Sequence, residues 1–341
     1  MPLVLSLSAI LSASCERIFE DEGDCSSNWS VRFVYRKNRE MLQSLNGVGS
    51  DAFASSVASV HLWVFDKKGD MVFEGRGSGE ALASGNWTMP VDLPTGTYDM
   101  IAWCGIDSSN AFEMTDAASL LRSGSPERED LNVSVRRTEG GKAWHDAPYD
   151  ALFYGRADNV EITEAVGDNE IEIELVKDVN DIVVWVQHPS ADTFAGGGYT
   201  VVFSDANGAM LSDNEICGPV LEYLPHRVSL LEVDNEFNGE TMLSGAMIAH
   251  LSTSRLIASR SRDARLEIRN ADGETVFSVP IIKYFLEMKS DRFSRFDDQT
   301  YLDCEDTYNC SFFLSGESGY WTASRIIINS WVKVPDQYTE I

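Results

Sequence analysis

Cys15 is the residue whose position carries the clearest chemistry in this 341-residue chain. It directly follows an apolar run, Leu3 to Ser14, that ends in small residues. The run is far shorter than the roughly 20 residues that span a bilayer. It matches the hydrophobic and cleavage regions of an export signal. A thiol at this place is the acceptor of a bacterial lipoprotein acyl group, with the peptide cut just before it. Residues 1–14 are therefore expected to be a lipoprotein signal peptide and Cys15 the lipidation site. Leu11 stands four residues before Cys15, with Ser12 in the usual aliphatic place, and no Lys or Arg precedes the run. The alternative is an ordinary secretory signal with a chance cysteine. An acyl anchor stays in a bilayer by burying its chains, at about 0.8 kcal/mol per CH₂.

Five cysteines remain, at 25, 104, 217, 304 and 310, so at least one thiol is unpaired. Cys304 and Cys310 are close enough to close a small loop. Cys25 and Cys104 both fall in the amino-terminal half and could also pair. The alternative is a set of buried, unpaired thiols. No Cys-x-x-Cys pair or nearby His supports a zinc ribbon. The five His residues, at 61, 145, 188, 226 and 250, share no close spacing that would suit a metal or a triad.

Other chemistry is equally hard to find. Gly75-Arg76-Gly77-Ser78-Gly79 lacks the Lys-Ser/Thr of a phosphate loop and reads as a flexible hairpin end. Asp234 to Gly239 begins like a calcium loop. Gly245 occupies the place where such a loop needs a glutamate, so the segment reads as a turn. There is no Gly-x-Ser-x-Gly elbow. Trp63, Trp87, Trp103 and Trp185 could stack on sugars, but all sit in strand-like segments and read as core. No catalytic, cofactor-binding or metal-binding residue is assigned, and an enzyme is not expected.

Lys plus Arg number 27 and Asp plus Glu 54, for a net charge of −27. Such a surface repels phosphate backbones and argues against a nucleic-acid partner. It also opposes unassisted docking on an anionic leaflet. Apolar residues make up 43% of the chain, enough for real cores. At roughly 150 residues per domain, the length suggests two. Glu16, Glu20, Asp21, Glu22 and Asp24 make residues 15–27 an acidic tether.

The elements that must position any site are almost all strands. Val60, Leu62 and Val64 alternate with His61, Trp63 and Phe65, and Asp66 to Asp70 supplies a turn. Residues 87–93 alternate, Pro94-Thr95-Gly96 turns, and Tyr98, Met100 and Ala102 follow. Ile171, Ile173 and Leu175 alternate with Glu170, Glu172 and Glu174, as in a strand with one wet face. Ile182 to Val186 is continuously apolar and is expected to be covered on both faces. Asn207-Gly208 and Asp272-Gly273 mark further turns. Short helices are expected at 38–45 and 113–122. Ser324 to Val334 reads as one closing strand with only Arg325 and Lys333 charged. The fold class is all-β, two tandem sandwiches, with a boundary near Lys177 to Asn180: an amino-terminal domain over 28–178 and a carboxy-terminal one over 179–341.

Four segments resemble the FimB-type fimbrial anchor family, the lipoprotein subunits that hold type V fimbriae in Bacteroidota. They are Cys15 with its acidic follow-on and Cys25; Arg32-Phe33-Val34-Tyr35 with Asn38; Val60 to Asp66 with Gly69; and Leu93-Pro94-Thr95-Gly96-Thr97-Tyr98 running into Ala102-Trp103. Ile326-Ile327-Ile328-Asn329-Ser330-Trp331 is similar to the family's closing strand. The resemblance implies two transthyretin-like β-sandwich domains. It implies a surface-exposed lipoprotein of the outer membrane that fixes a fimbrial shaft, with a fimbrillin as partner, and limits shaft length. It also implies subunit attachment by strand pairing. Arg325, Ile326, Ile327, Ile328, Asn329 and Trp331 are the expected exchange edge. A surface glycan-binding lipoprotein is the alternative, since those too chain β-sandwiches behind an acylated cysteine.

Overall fold

The computed structural model describes residues 27–114, 128–195, 198–237, 240–289, 293–316 and 320–333. The expected signal segment, Cys15, the expected tether up to residue 26, Cys25 and most of the helix expected at 113–122 lie outside them.

Seven strands form the first sheet, in the order β3 (Met71–Ser78), β2 (Ser59–Phe65), β5 (Gly96–Cys104), β8 (Phe153–Ile162), β9 (Gly167–Lys177), β1 (Ser27–Val34) and β4 (Met89–Val91). Strands β8 and β9 pair only where residues 153–155 meet 175–177. There the sheet turns over on itself. Val31, Phe33, Leu62, Val64, Met100, Ala102 and Ile173 form the core that it encloses. The alternation in β9 behaves as expected, with Ile171, Ile173 and Leu175 buried and Glu170 and Glu172 exposed. Gly75 and Gly77 lie inside β3 and not at a hairpin end. A Cβ on Gly75 would fall 2.4 Å from the Met89 sulfur, and one on Gly77 2.4 Å from the Trp87 ring. These glycines let the sandwich close.

The second sandwich has a sheet of six strands: β15 (Arg227–Phe237), β16 (Glu240–Ser254), β10 (Val179–His188), β19 (Thr307–Ser315), β20 (Thr322–Ile328) and β21 (Trp331–Lys333). It packs on a sheet of four, β14 (Leu221–Tyr223), β11 (Thr200–Asp205), β17 (Arg265–Arg269) and β18 (Thr275–Val279). Ile182, Val184, Val186 and Phe312 share a core with Phe203, Leu266 and Phe277. Val183 and Trp185 are only half-buried, so β10 is covered on one face and partly open on the other. The continuous apolar run therefore misreads the outer face.

A smaller sheet draws on both halves: β13 (Ile216–Cys217), β12 (Ala209–Met210), β7 (Val133–Val135) and β6 (Phe112–Met114). It covers the outer face of the first sandwich, where Trp63, Phe65, Ile101 and Trp103 join one apolar cluster with Val179 and Ile182. Asp178 is the one residue between β9 and β10.

Short helices fill the margins: α1 (Arg39–Gln43), α2 (Phe53–Ser56), α3 (Ile281–Glu287) and α4 (Asp298–Cys304). The first falls inside the expected 38–45, and the Asn38 side chain caps it by accepting from the Glu40 and Met41 N–H groups. The last two were not legible as helices. Ile281, Ile282 and Phe285 bury one face of α3, and Asp297 caps α4 through the Thr300 N–H.

Of the possible cysteine partners, Cys25 lies outside the described residues. Cys104, Cys304 and Cys310 are free, buried thiols. Cys304 ends α4 with its sulfur 3.7 Å from the Met41 sulfur, while Cys310 sits in β19 opposite Val184 and Ile328. Burial pushes the Cys304 thiol up to about 12 and raises the other two as well. Such thiols behave as small apolar side chains.

Candidate functional site

The expected closing strand is a hairpin. Ile326, Ile327 and Ile328 in β20 pair with β19 on one side and with Lys333, Val332 and Trp331 of β21 on the other. Asn329 and Ser330 form the turn, with φ of 43° and 78°. Positive φ at both positions is the geometry of a tight primed turn. The Asn329 side chain secures it, accepting from the Asn309 N–H at 2.8 Å and donating to the Thr307 carbonyl at 3.2 Å. Ile326 and Ile328 are core residues, and Arg325 lies over the Phe313 ring at 4.1 Å. Residues 326–328 are thus paired on both sides, and Trp331 belongs to a three-residue edge strand.

The longer edge strand among the described residues is at the opposite side of the same sheet. β15 is the outermost strand there and runs for 11 residues. Val228, Leu230, Leu231 and, on the neighbouring β16, Leu243 are 47%, 43%, 43% and 45% exposed. Strand β16 pairs with β10 only as far as Gly245, opposite His188. Beyond it, residues 240–244 pair with 233–237 as a two-stranded ribbon. The sheet therefore carries a projecting arm, and among the described residues no further strand lies outside β15. Natural sheets usually blunt such an edge with charge, proline, bulges or shortness. Here the first half, Val228 to Leu231, is apolar but for Ser229, and the second carries Glu232, Asp234 and Glu236. Asp234 is in this strand and not in the expected turn.

Arg227 and two histidines cluster at the start of β15, at the opposite end of the ladder from the arm. The Arg227 guanidinium donates to His250 Nε2 at 2.8 Å, directly across the ladder. The His226 N–H donates to the His250 carbonyl, and the two imidazole rings are 6.2 Å apart. Burial, helped by the Arg227 cation, lowers the His250 pKa. Burial, His250 and Arg227 together lower that of His226 against the pull of Asp181. The fold thus brings together two histidines that lie 24 residues apart in the chain. Among the described residues no group of three His, Cys, Asp or Glu side chains is set to hold a metal ion.

The tryptophans do not form a platform. Trp63 and Trp103 are buried, and Trp87 packs against both Phe33 and Phe53. Trp185 alone of the four looks out from the half-open face of β10. No described helix is long and apolar enough to cross a membrane.

Comparison with known proteins agrees with this architecture. The profile of the Mfa2 family, the fimbrillin-A associated anchor proteins Mfa1 and Mfa2, matches residues 21–336. No curated protein sequence matches. A candidate adhesin from Bacteroides thetaiotaomicron has 26% identity over 92% of this chain and 99% of its own, with a TM-score of 0.71. A candidate polysaccharide-binding protein from the same species has 28% identity over the same shares, with a TM-score of 0.68. The fimbrial anchor protein Mfa2 of Porphyromonas gingivalis shares the fold at 17% identity, over 90% of this chain and 99% of its own, with a TM-score of 0.60. The chain, matched over nearly its whole length, belongs to the Mfa2 family of fimbrillin-A associated anchor proteins.

Proposed function

We propose that this protein is a lipoprotein of the outer membrane, acylated at Cys15, that fixes a fimbrial shaft to the cell surface. The observation that carries the reading, beside family membership, is the long exposed edge of β15. A strand donated by a shaft subunit completes the sheet there, with main-chain hydrogen bonds supplying much of the affinity. The edge also describes its guest. Apolar side chains of the incoming strand face Val228 to Leu231, and basic ones face Glu232 and Asp234. One occupied edge ends subunit addition at the base, which is how the anchor limits shaft length. The test is isolation of the intact lipoprotein from outer membranes. A major fimbrillin that co-purifies in stoichiometric amount supports the reading, and its absence from fimbriated cells contradicts it.

A second reading draws on the neighbour described as polysaccharide-binding. A cleft of about 620 Å³ is lined by Tyr199, Trp321, Asn270, Asp272 and Glu274, a mixture of ring and carboxylate suited to a sugar. Trp321 is nearly buried, so only part of its ring is available. Glycan binding lost in Tyr199→Ala, with fimbriae retained, would favour this role over anchoring.

A further inference from the structure

We propose that the chain is a mechanical clamp, in which tension between the amino-terminal tether and the β15–β16 arm loads two long ladders in shear. The proposal rests on the attachment points argued above, and it follows from strand direction. β1 begins at Ser27, next to the tether, and runs parallel to β9 in an unbroken register of eight pairs, from Ser27 opposite Gly167 to Val34 opposite Glu174. Tension enters β1 at its Ser27 end. It leaves β9 at the other end, through Lys177 into β10. A ladder pulled at opposite ends shares the load among all of its hydrogen bonds at once. One pulled at a single end opens bond by bond.

The second ladder has the same arrangement. β10 receives the load at Val179, and the arm lies beyond the far end, where His188 pairs with Gly245. The ten pairs between β10 and β16 are again loaded from opposite ends. Both ladders are thus loaded in shear.

The joints are locked as well. Arg36 leaves β1 and grips Glu172 on β9 with two hydrogen bonds of 2.6 and 2.8 Å, and its N–H donates to Glu174 at 2.9 Å. Such forked contacts hold direction as well as charge. Between the ladders, Asp178 is fully buried, donates its N–H to the Leu152 carbonyl at 2.8 Å and accepts from the Asn214 side chain at 3.1 Å. Lys177 reaches Asp306 at 2.6 Å, and Arg255 spans Asp178 and Asp303 at 3.6 and 3.0 Å. The connection between the two halves is one immobilised residue and has no slack to absorb a pull.

Single-molecule pulling on the purified chain tests this without fimbriae. In a Cys15→Ser, Cys25→Ser, Cys217→Ser background, Asn28→Cys with Leu243→Cys places handles at the two ends of the proposed load path. Asn28→Cys with Asp168→Cys places them on facing residues, so that the β1–β9 ladder opens from one end. Forced unfolding reports the barrier to unfolding and not equilibrium stability. At equal loading rate, the first axis is expected to break at several-fold higher force. Arg36→Ala lowers that force and leaves the second unchanged. Equal rupture forces along the two axes overturn the clamp. Loss of the arm's role in retention, by contrast, overturns the attachment reading and leaves the measured anisotropy standing.

Discussion

The indole N–H of Trp103 donates to the Leu131 carbonyl at 2.9 Å, and the ring beneath it has no exposed surface. Trp103 stands on the outer face of the first sandwich. Leu131 lies two residues before β7, in the sheet shared by the two halves. This contact ties the approach to the shared sheet to the wall of the first sandwich.

Trp103→Ala is accordingly expected to cost about 3–5 kcal/mol, through the cavity it leaves. Trp103→Phe keeps most of the packing and strands the Leu131 carbonyl, at about 1–3 kcal/mol. Denaturant unfolding of the two variants checks the order. A Trp103→Ala protein as stable as the parent would mean that the ring is not core.

The buried thiols give a second test. Reductant is expected to leave the melting temperature unchanged, because Cys304 and Cys310 are not bridged. The peptide that holds both should take up alkylating reagent at both positions after denaturation without reductant, and at neither before. A mass two hydrogens lower, with no label, would show the bridge instead.

Asp178 makes stability depend on pH. Burial outweighs the nearby Arg255 cation and pushes its carboxyl up to about 7. The unfolded carboxyl titrates near 3.9. The folded pKa is raised, so this group's contribution is fully present below about pH 4 and is lost as pH rises to about 7. Asp178→Asn removes that loss. Its melting temperature should exceed the parent's by a margin that grows from about pH 4 to about pH 7 and then levels. A variant less stable than the parent at about pH 8 would mean that Arg255 keeps the carboxylate ionised and needs it so.

Much of this was legible in the chain. Period-two alternation located β2, β5 and β9, and the Asp66–Asp70 and Pro94–Gly96 turns fell where their residues suit a reversal. Trp103 was legible as core. Three features escaped for identifiable reasons. The Asn329-Ser330 turn has positive φ at two residues without a glycine, so Ser324 to Val334 reads as one strand until Asn309 is seen to brace it. β15 mixes Leu230 and Leu231 with three spaced acids, which imitates a calcium loop in sequence. Gly75 and Gly77 look like loop residues because the reason for them, Met89 and Trp87, lies across the sandwich.

Membrane attachment has its own test. Cys15→Ala should abolish fatty-acid labelling and move the protein from the membrane to the soluble fraction. Continued labelling, with the protein still in the membrane, would contradict lipidation at this cysteine.

Attachment of the shaft through β15 is decided by fimbrial retention. Leu230→Lys with Leu231→Lys charges the apolar half of the edge, which is how natural sheets discourage pairing. Both side chains are substantially exposed, so the melting temperature should stay close to the parent's. The measurement is the fraction of fimbriae held on cells against that shed into the medium. A folded, membrane-bound double variant that sheds its fimbriae is the expected result. The same variant holding fimbriae of parental number and length would contradict the account.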